Sequence, residues 1–201
     1  MRLFFKLVSV LFHPILMPIL GVFLYFRISP IYFLPKVINA SLLSVGILTI
    51  LVPLLLAIVL KKLGALSNFT ASNTKERIIP LVFNIVIILV ILIRLIPKTG
   101  ATELYYFFLA ILASNISLLI MVLFKIKASI HLTGITGVLM YIIGLSFHFS
   151  KDVTLLAAAI IVFTGMVASA RLYLKAHTGV EIILGIFIGL IPQLLTFQYW
   201  L

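Results

Sequence analysis

Long apolar runs separated by short polar junctions dominate this chain. A helix needs about 20 apolar residues to cross a bilayer, somewhat fewer where flanking side chains snorkel. Seven stretches qualify. The first covers about 3–26, where Pro14 and Pro18 predict kinks. The second covers about 37–60 and is closed by Lys61 and Lys62. A connector rich in Ser, Asn and Thr follows at 64–74. The third starts near Pro80, a residue suited to a first helical turn, and ends near Ile96, with a turn at 97–100. The remaining four cover about 102–124, 131–149, 153–170 and 179–200. No repeat with a period of roughly 20–50 residues is present. The pattern predicts an all-α, polytopic membrane helix bundle of six to seven transmembrane helices. It forms a single domain over 1–201, with two N-terminal helices in 1–60.

Composition agrees with this pattern. The 201 residues are 64% hydrophobic and 9% charged, with a mean hydropathy of +1.38. Such values belong to integral membrane proteins. The formal charge is +11, and the acidic residues are Glu76, Glu103, Asp152 and Glu181. An excess of cations at span ends suits anionic head groups of membrane lipids. Nucleic-acid binding would need a basic soluble surface, which the short junctions do not offer. The absence of cysteine excludes disulfides and thiolate metal sites. Arg2 and Lys6 precede an apolar run as in a signal sequence. That run is nearly a full span and lacks a small-x-small cleavage pattern, so it reads as a retained first helix.

Counting crossings brings the unusual residues together. If the N-terminus lies on side A, the junctions at 61–74, 125–129 and 171–177 all return to side A. The stretch at 170–181 reads Ala-Arg-Leu-Tyr-Leu-Lys-Ala-His-Thr-Gly-Val-Glu. His177 and Glu181 are four apart and would share a helix face. A carboxylate holding one imidazole proton leaves the other nitrogen as a base or nucleophile. Arg171 and Lys175 add cations. In the junction before the fifth span, Ser129 precedes His131; in the junction before the third, Lys75, Glu76 and Arg77 follow Asn73, an N-cap candidate for Glu76.

These residues resemble, in order, the three signatures of the type-2 phosphatidic acid phosphatase superfamily, whose fold is shared with vanadium haloperoxidases. Arg171, five residues, His177 and three residues match the spacing of the third signature, with Ala170 in place of Ser and Glu181 in place of Asp. Ala128-Ser129-Ile130-His131 keeps the Ser and His of the second, Pro-Ser-Gly-His. Arg77 stands for the Arg of the first, with Lys75 replacing a Lys expected at position 70. The resemblance covers about 75–189 and implies a phosphatase-like core there. It implies hydrolysis of a lipid phosphate by His177 through a phosphohistidine, with Glu181 orienting it and His131 as general acid. Arg77, Arg171, Lys75, Lys175 and Ser129 would hold the phosphate, and no metal or cofactor is implied. Phosphatidate, phosphatidylglycerophosphate, a polyprenyl diphosphate and a lipid A phosphate all fit.

A second expectation comes from the altered positions Ala128, Ile130, Ala170 and Glu181. They suit a degenerate relative that binds anionic lipid, or serves as a subunit of a membrane complex or homo-oligomer, without turnover. A carrier fits less well, since the charges lie at span ends. Side A holds ten Lys or Arg and side B five; with four candidate ligands set aside, six face five, which gives no orientation. By resemblance, the site faces outward from a bacterial inner membrane. His13 and His148 read as a packing and an interfacial histidine. Gly134, Gly137, Gly185 and Gly189 have the spacing of close helix contacts, and Tyr105, Tyr106, Tyr199 and Trp200 of interfacial anchors.

Overall fold

The computed structural model describes residues 1–66, 74–96 and 100–201. Asn73, position 70 with most of the connector at 64–74, and most of the turn at 97–100 lie outside the described residues. Those described are helical, with no strand among them: α1 (Arg2–Leu11), α2 (Met17–Ile28), α3 (Pro35–Gly46), α4 (Val52–Lys62), α5 (Ile78–Val90), α6 (Thr102–Leu123), α7 (Ile130–Phe149), α8 (Thr154–Tyr173) and α9 (Gly179–Thr196). Joined through short 3₁₀ and π segments, they make seven helices long and apolar enough to cross a membrane. The chain therefore reads as an integral membrane protein.

Local chemistry explains the breaks. Pro14 has no N–H, so α1 stops at Leu11 and a 3₁₀ turn, Pro14–Leu16, leads into α2. Pro18 lies in the first turn of α2 and does not interrupt it, contrary to the second predicted kink. The third span begins before Pro80: a 3₁₀ turn, Lys75–Arg77, precedes α5. The sixth span runs to Tyr173, which puts Arg171 on its last turn.

The fifth span is the centre: 61% of its most apolar window is buried, against 11% for the second span. Because lipid is as apolar as leucine, close approach and hydrogen bonds must hold the bundle together. α7 packs chiefly on α9, and on α2 and α8. At the α7–α9 contact, a Cβ on Gly185 would stand 2.5 Å from Ser129 O, and one on Gly189 would collide with Thr136 Oγ1. Thr133 Oγ1 donates to Gly185 O at 3.0 Å and Thr136 Oγ1 to Ile186 O at 3.2 Å.

On side B, Glu103 ties three helices. It accepts from Tyr25 Oη at 3.3 Å and from His148 Nε2 at 3.0 Å, and is itself buried. His148, expected to be merely interfacial, thus holds the end of α7 to the start of α6.

Candidate functional site

Described residues at the side A ends of the spans meet. Arg77 Nη1 donates to Ala128 O at 3.0 Å, Lys127 Nζ to Ala176 O at 3.0 Å, and Ser129 N to Glu181 O at 2.9 Å. Each bond links the side A ends of different spans, consistent with the crossing count.

The link between α8 and α9 places the histidine. Lys175 closes α8 in the left-handed conformation (φ 52°), with Ala176 N donating to Arg171 O at 3.0 Å and Lys175 N to Leu172 O at 2.9 Å. Thr178 then caps α9: Glu181 N donates to Thr178 Oγ1 at 3.4 Å, and Thr178 N to Glu181 Oε2 at 3.3 Å. This reciprocal capping box folds the carboxylate back over the helix start. There the same Oε2 accepts from His177 Nδ1 at 2.7 Å. His177 precedes the cap and lies outside the helix. The pair therefore meets through the cap, and the shared helix face expected from the spacing does not form.

With Nδ1–H committed to Glu181, His177 keeps its lone pair on Nε2. Burial lowers its pKa to about 4, and Arg171, Arg77 and Lys127 push the same way against the Glu181 hydrogen bond. The ring is neutral at pH 7, the state a nucleophile needs.

Arg77 and Arg171 are buried, at 5% and 8% exposure, and Arg171 Nε has no hydrogen-bond partner. Lys127 is partly buried; burial first, then Arg77 and Arg171, hold its pKa down, while Glu181 opposes them. Lys75 and Lys175, expected as phosphate ligands, are both exposed and stand off the cavity wall. Lys127 is the third cation nearby; it too is off the cavity wall, with its Nζ held by Ala176 O. The crossing count had placed its junction on side A, which was the available signal for it.

Ser129 is also off the wall. Its N–H is spent on Glu181 O, it packs against Gly185, and its hydroxyl is buried without a partner. His131 does line the cavity with His177, Arg77 and Arg171. His131 Nε2 lies 3.2 Å from Ser9 O. The break at Pro14 explains that carbonyl's availability, because His13 N donates to Val10 O instead. This contact puts the His131 proton on Nε2 and its lone pair on Nδ1. His13, read from sequence as a packing residue, does bond its own turn: Nδ1 accepts from Ile15 N at 3.3 Å. It also lines the cavity, edge-on to His131 at a ring separation of 5.2 Å. Nothing in its surrounding motif marked it, since its position depends on how α1 packs.

The cavity measures about 260 Å³. Its side A end carries the cations and histidines; deeper, Met17, Pro53, Leu81, Phe107 and Ile111 give it apolar walls. Such a space, with cations at one end and largely apolar walls beyond, can hold an amphipathic anion. Among the described residues, no group of three or more His, Cys, Asp or Glu is placed to hold a metal ion. No protein-family model matches the chain, and neither curated proteins nor solved structures include a match.

Proposed function

We propose that the protein is a membrane-embedded phosphatase acting on a lipid-linked phosphate. The observation that carries the reading is the neutral, carboxylate-held His177 on one cavity wall with Arg77, Arg171 and His131. In the proposed cycle, His177 Nε2 attacks phosphorus and the bond to the leaving oxygen breaks. A substrate that enters as the monoanion passes its proton to His131 Nδ1, and His131 gives that proton to the leaving oxygen while Nε2–H stays on Ser9 O. Water then attacks the phosphohistidine, His131 takes its proton, and phosphate leaves with both histidines restored. Arg77 and Arg171 bear the charge on the equatorial oxygens, and Lys127 adds its field from outside the cavity lining. The resemblance of 170–181 to the third signature of the type-2 phosphatidic acid phosphatases supports the same chemistry.

A second reading, anionic-lipid binding without turnover, is favoured by one observation. Donors that would serve a phosphate are spent within the chain: Ser129 N on Glu181 O, and the His131 proton on Ser9 O. Under it the protein acts alone, as a homo-oligomer or as a subunit of a membrane complex. Phosphate release by purified protein from a panel of lipid phosphates separates the two. Release that His177→Ala abolishes supports the enzyme; no release, or equal release by the variant, removes it.

A further inference from the structure

The cavity continues well below the cations. Asn84 lies seven residues after Arg77, about 10 Å along the helix, and Asn115 faces it from α6. Asn84 Nδ2 donates to Asn115 Oδ1 at 3.2 Å. That bond accounts for helix-to-helix adhesion, the usual role of an intramembrane amide pair. It does not account for Asn115 Nδ2, which is buried without a partner on a cavity-lining residue of 6% exposure. Water is scarce at such depth, and an unmade amide bond is costly there. The surrounding wall offers hydrocarbon contacts from Leu81, Ile111 and Leu118.

We infer that the Asn84–Asn115 pair is a specificity-determining site that reads an oxygen atom on the lipid part of the ligand, roughly 10 Å beneath the phosphate. The ligand class is an anionic phospholipid whose chain carries a carbonyl or hydroxyl oxygen at that depth. A lipid phosphate that is pure hydrocarbon below its head group leaves Asn115 Nδ2 unpaired and binds less well. The inference rests on the phosphate end lying at Arg77 and Arg171, as in the proposed function, and does not require turnover.

Binding of synthetic alkyl phosphates to the full chain in detergent, followed by thermal shift, tests it. The panel has one chain length, with a keto or hydroxyl oxygen moved carbon by carbon, and an unsubstituted member. Wild type should prefer one region of the chain by about tenfold, the value of roughly one buried hydrogen bond. Asn115→Leu should abolish the preference. If that variant fails to fold because Asn84 loses its partner, the Asn84→Leu/Asn115→Leu double variant removes both polar groups at little cost. It should bind the unsubstituted phosphate at least as tightly as wild type. No preferred position, or a preference the double variant retains, overturns the inference; the former is the result expected if a captured water, not the ligand, satisfies Asn115. Phosphate release is scored separately. A positional preference without release sinks the hydrolase and leaves this site; release without preference does the reverse.

Discussion

Replacing Gly185 by alanine tests the contact on which the site is assembled. The added Cβ would stand 2.5 Å from Ser129 O and 3.1 Å from Ser129 N and Cβ, whereas ordinary contact begins at 3.4 Å. Ser129 O is backbone, fixed as the acceptor for Thr133 N at 3.0 Å, so it cannot turn away. The helices must part by about 1 Å. Overpacking of this kind costs about 1–3 kcal/mol. Separation also stretches Thr133 Oγ1 to Gly185 O and Ser129 N to Glu181 O, together about 1–2 kcal/mol. The sum, about 2–5 kcal/mol, corresponds to a fall in Tm of roughly 4–20 °C for a chain of this size. Gly165→Ala is the control. Gly165 is helical with nothing within 4 Å of its would-be Cβ, so alanine there should raise Tm slightly. Thermal unfolding of both variants in one detergent gives the comparison. A Gly185→Ala protein that melts with wild type, or a Gly165→Ala protein that falls equally, would refute the proposed α7–α9 contact.

Three further outcomes follow from the same geometry. His177 has a folded pKa of about 4 against 6.5 for the free side chain, so between these values the unfolded chain holds a proton the folded one lacks. Stability is therefore complete above about pH 6.5 and falls by about 3 kcal/mol as pH drops toward 4; His177→Gln should flatten that limb of an unfolding-versus-pH series. Glu181→Gln keeps a side chain able to complete the capping box and should cost little stability, whereas Glu181→Ala should lose about 1 kcal/mol more in thermal unfolding. On side B, Glu103→Leu strands Tyr25 Oη and His148 Nε2 and should cost about 1–3 kcal/mol, with Glu103→Gln intermediate; a Glu103→Leu protein that melts with wild type would show that the tie contributes nothing.

The spans were legible because a bilayer demands long uninterrupted apolar runs, and little else produces them. Crossing parity then placed three junctions on one side without any knowledge of packing. What parity cannot supply is rotation about each helix axis. Lys75 and Lys175 stood in the right junctions and point away, while Lys127, in an equally suitable one, reaches Ala176. His177 and Glu181 show a subtler gap. Their spacing suggested contact along a helix, yet the contact arises because Thr178 caps α9 and turns Glu181 backward. A four-residue separation satisfies either geometry, so the pairing was readable and its cause was not. His13 lay beyond reach altogether, because its place depends on α1 folding against α7 and α8 after the break at Pro14.

Charge balance at the site leads to one more expectation. Arg77, Arg171 and Lys127 gather where Glu181 is the carboxylate facing them, and Glu181 is already engaged by His177 and Thr178. Two like charges 4 Å apart repel by about 4 kcal/mol at an effective dielectric near 20, and burial leaves little solvent to absorb it. The cluster is thus assembled against its own electrostatics, and an anion relieves it. Inorganic phosphate at 100 times its Kd should stabilise the chain by about 2.7 kcal/mol, with chloride at matched ionic strength as the reference. Arg171→Met removes one buried charge while keeping much of the side-chain bulk. It should melt no lower than wild type without phosphate, and should lose most of the phosphate response. A variant that is destabilised and still responds fully would mean that Arg171 serves only to hold α8 in place. The cations would then be structural, and the affinity of this wall for phosphate would have to come from elsewhere.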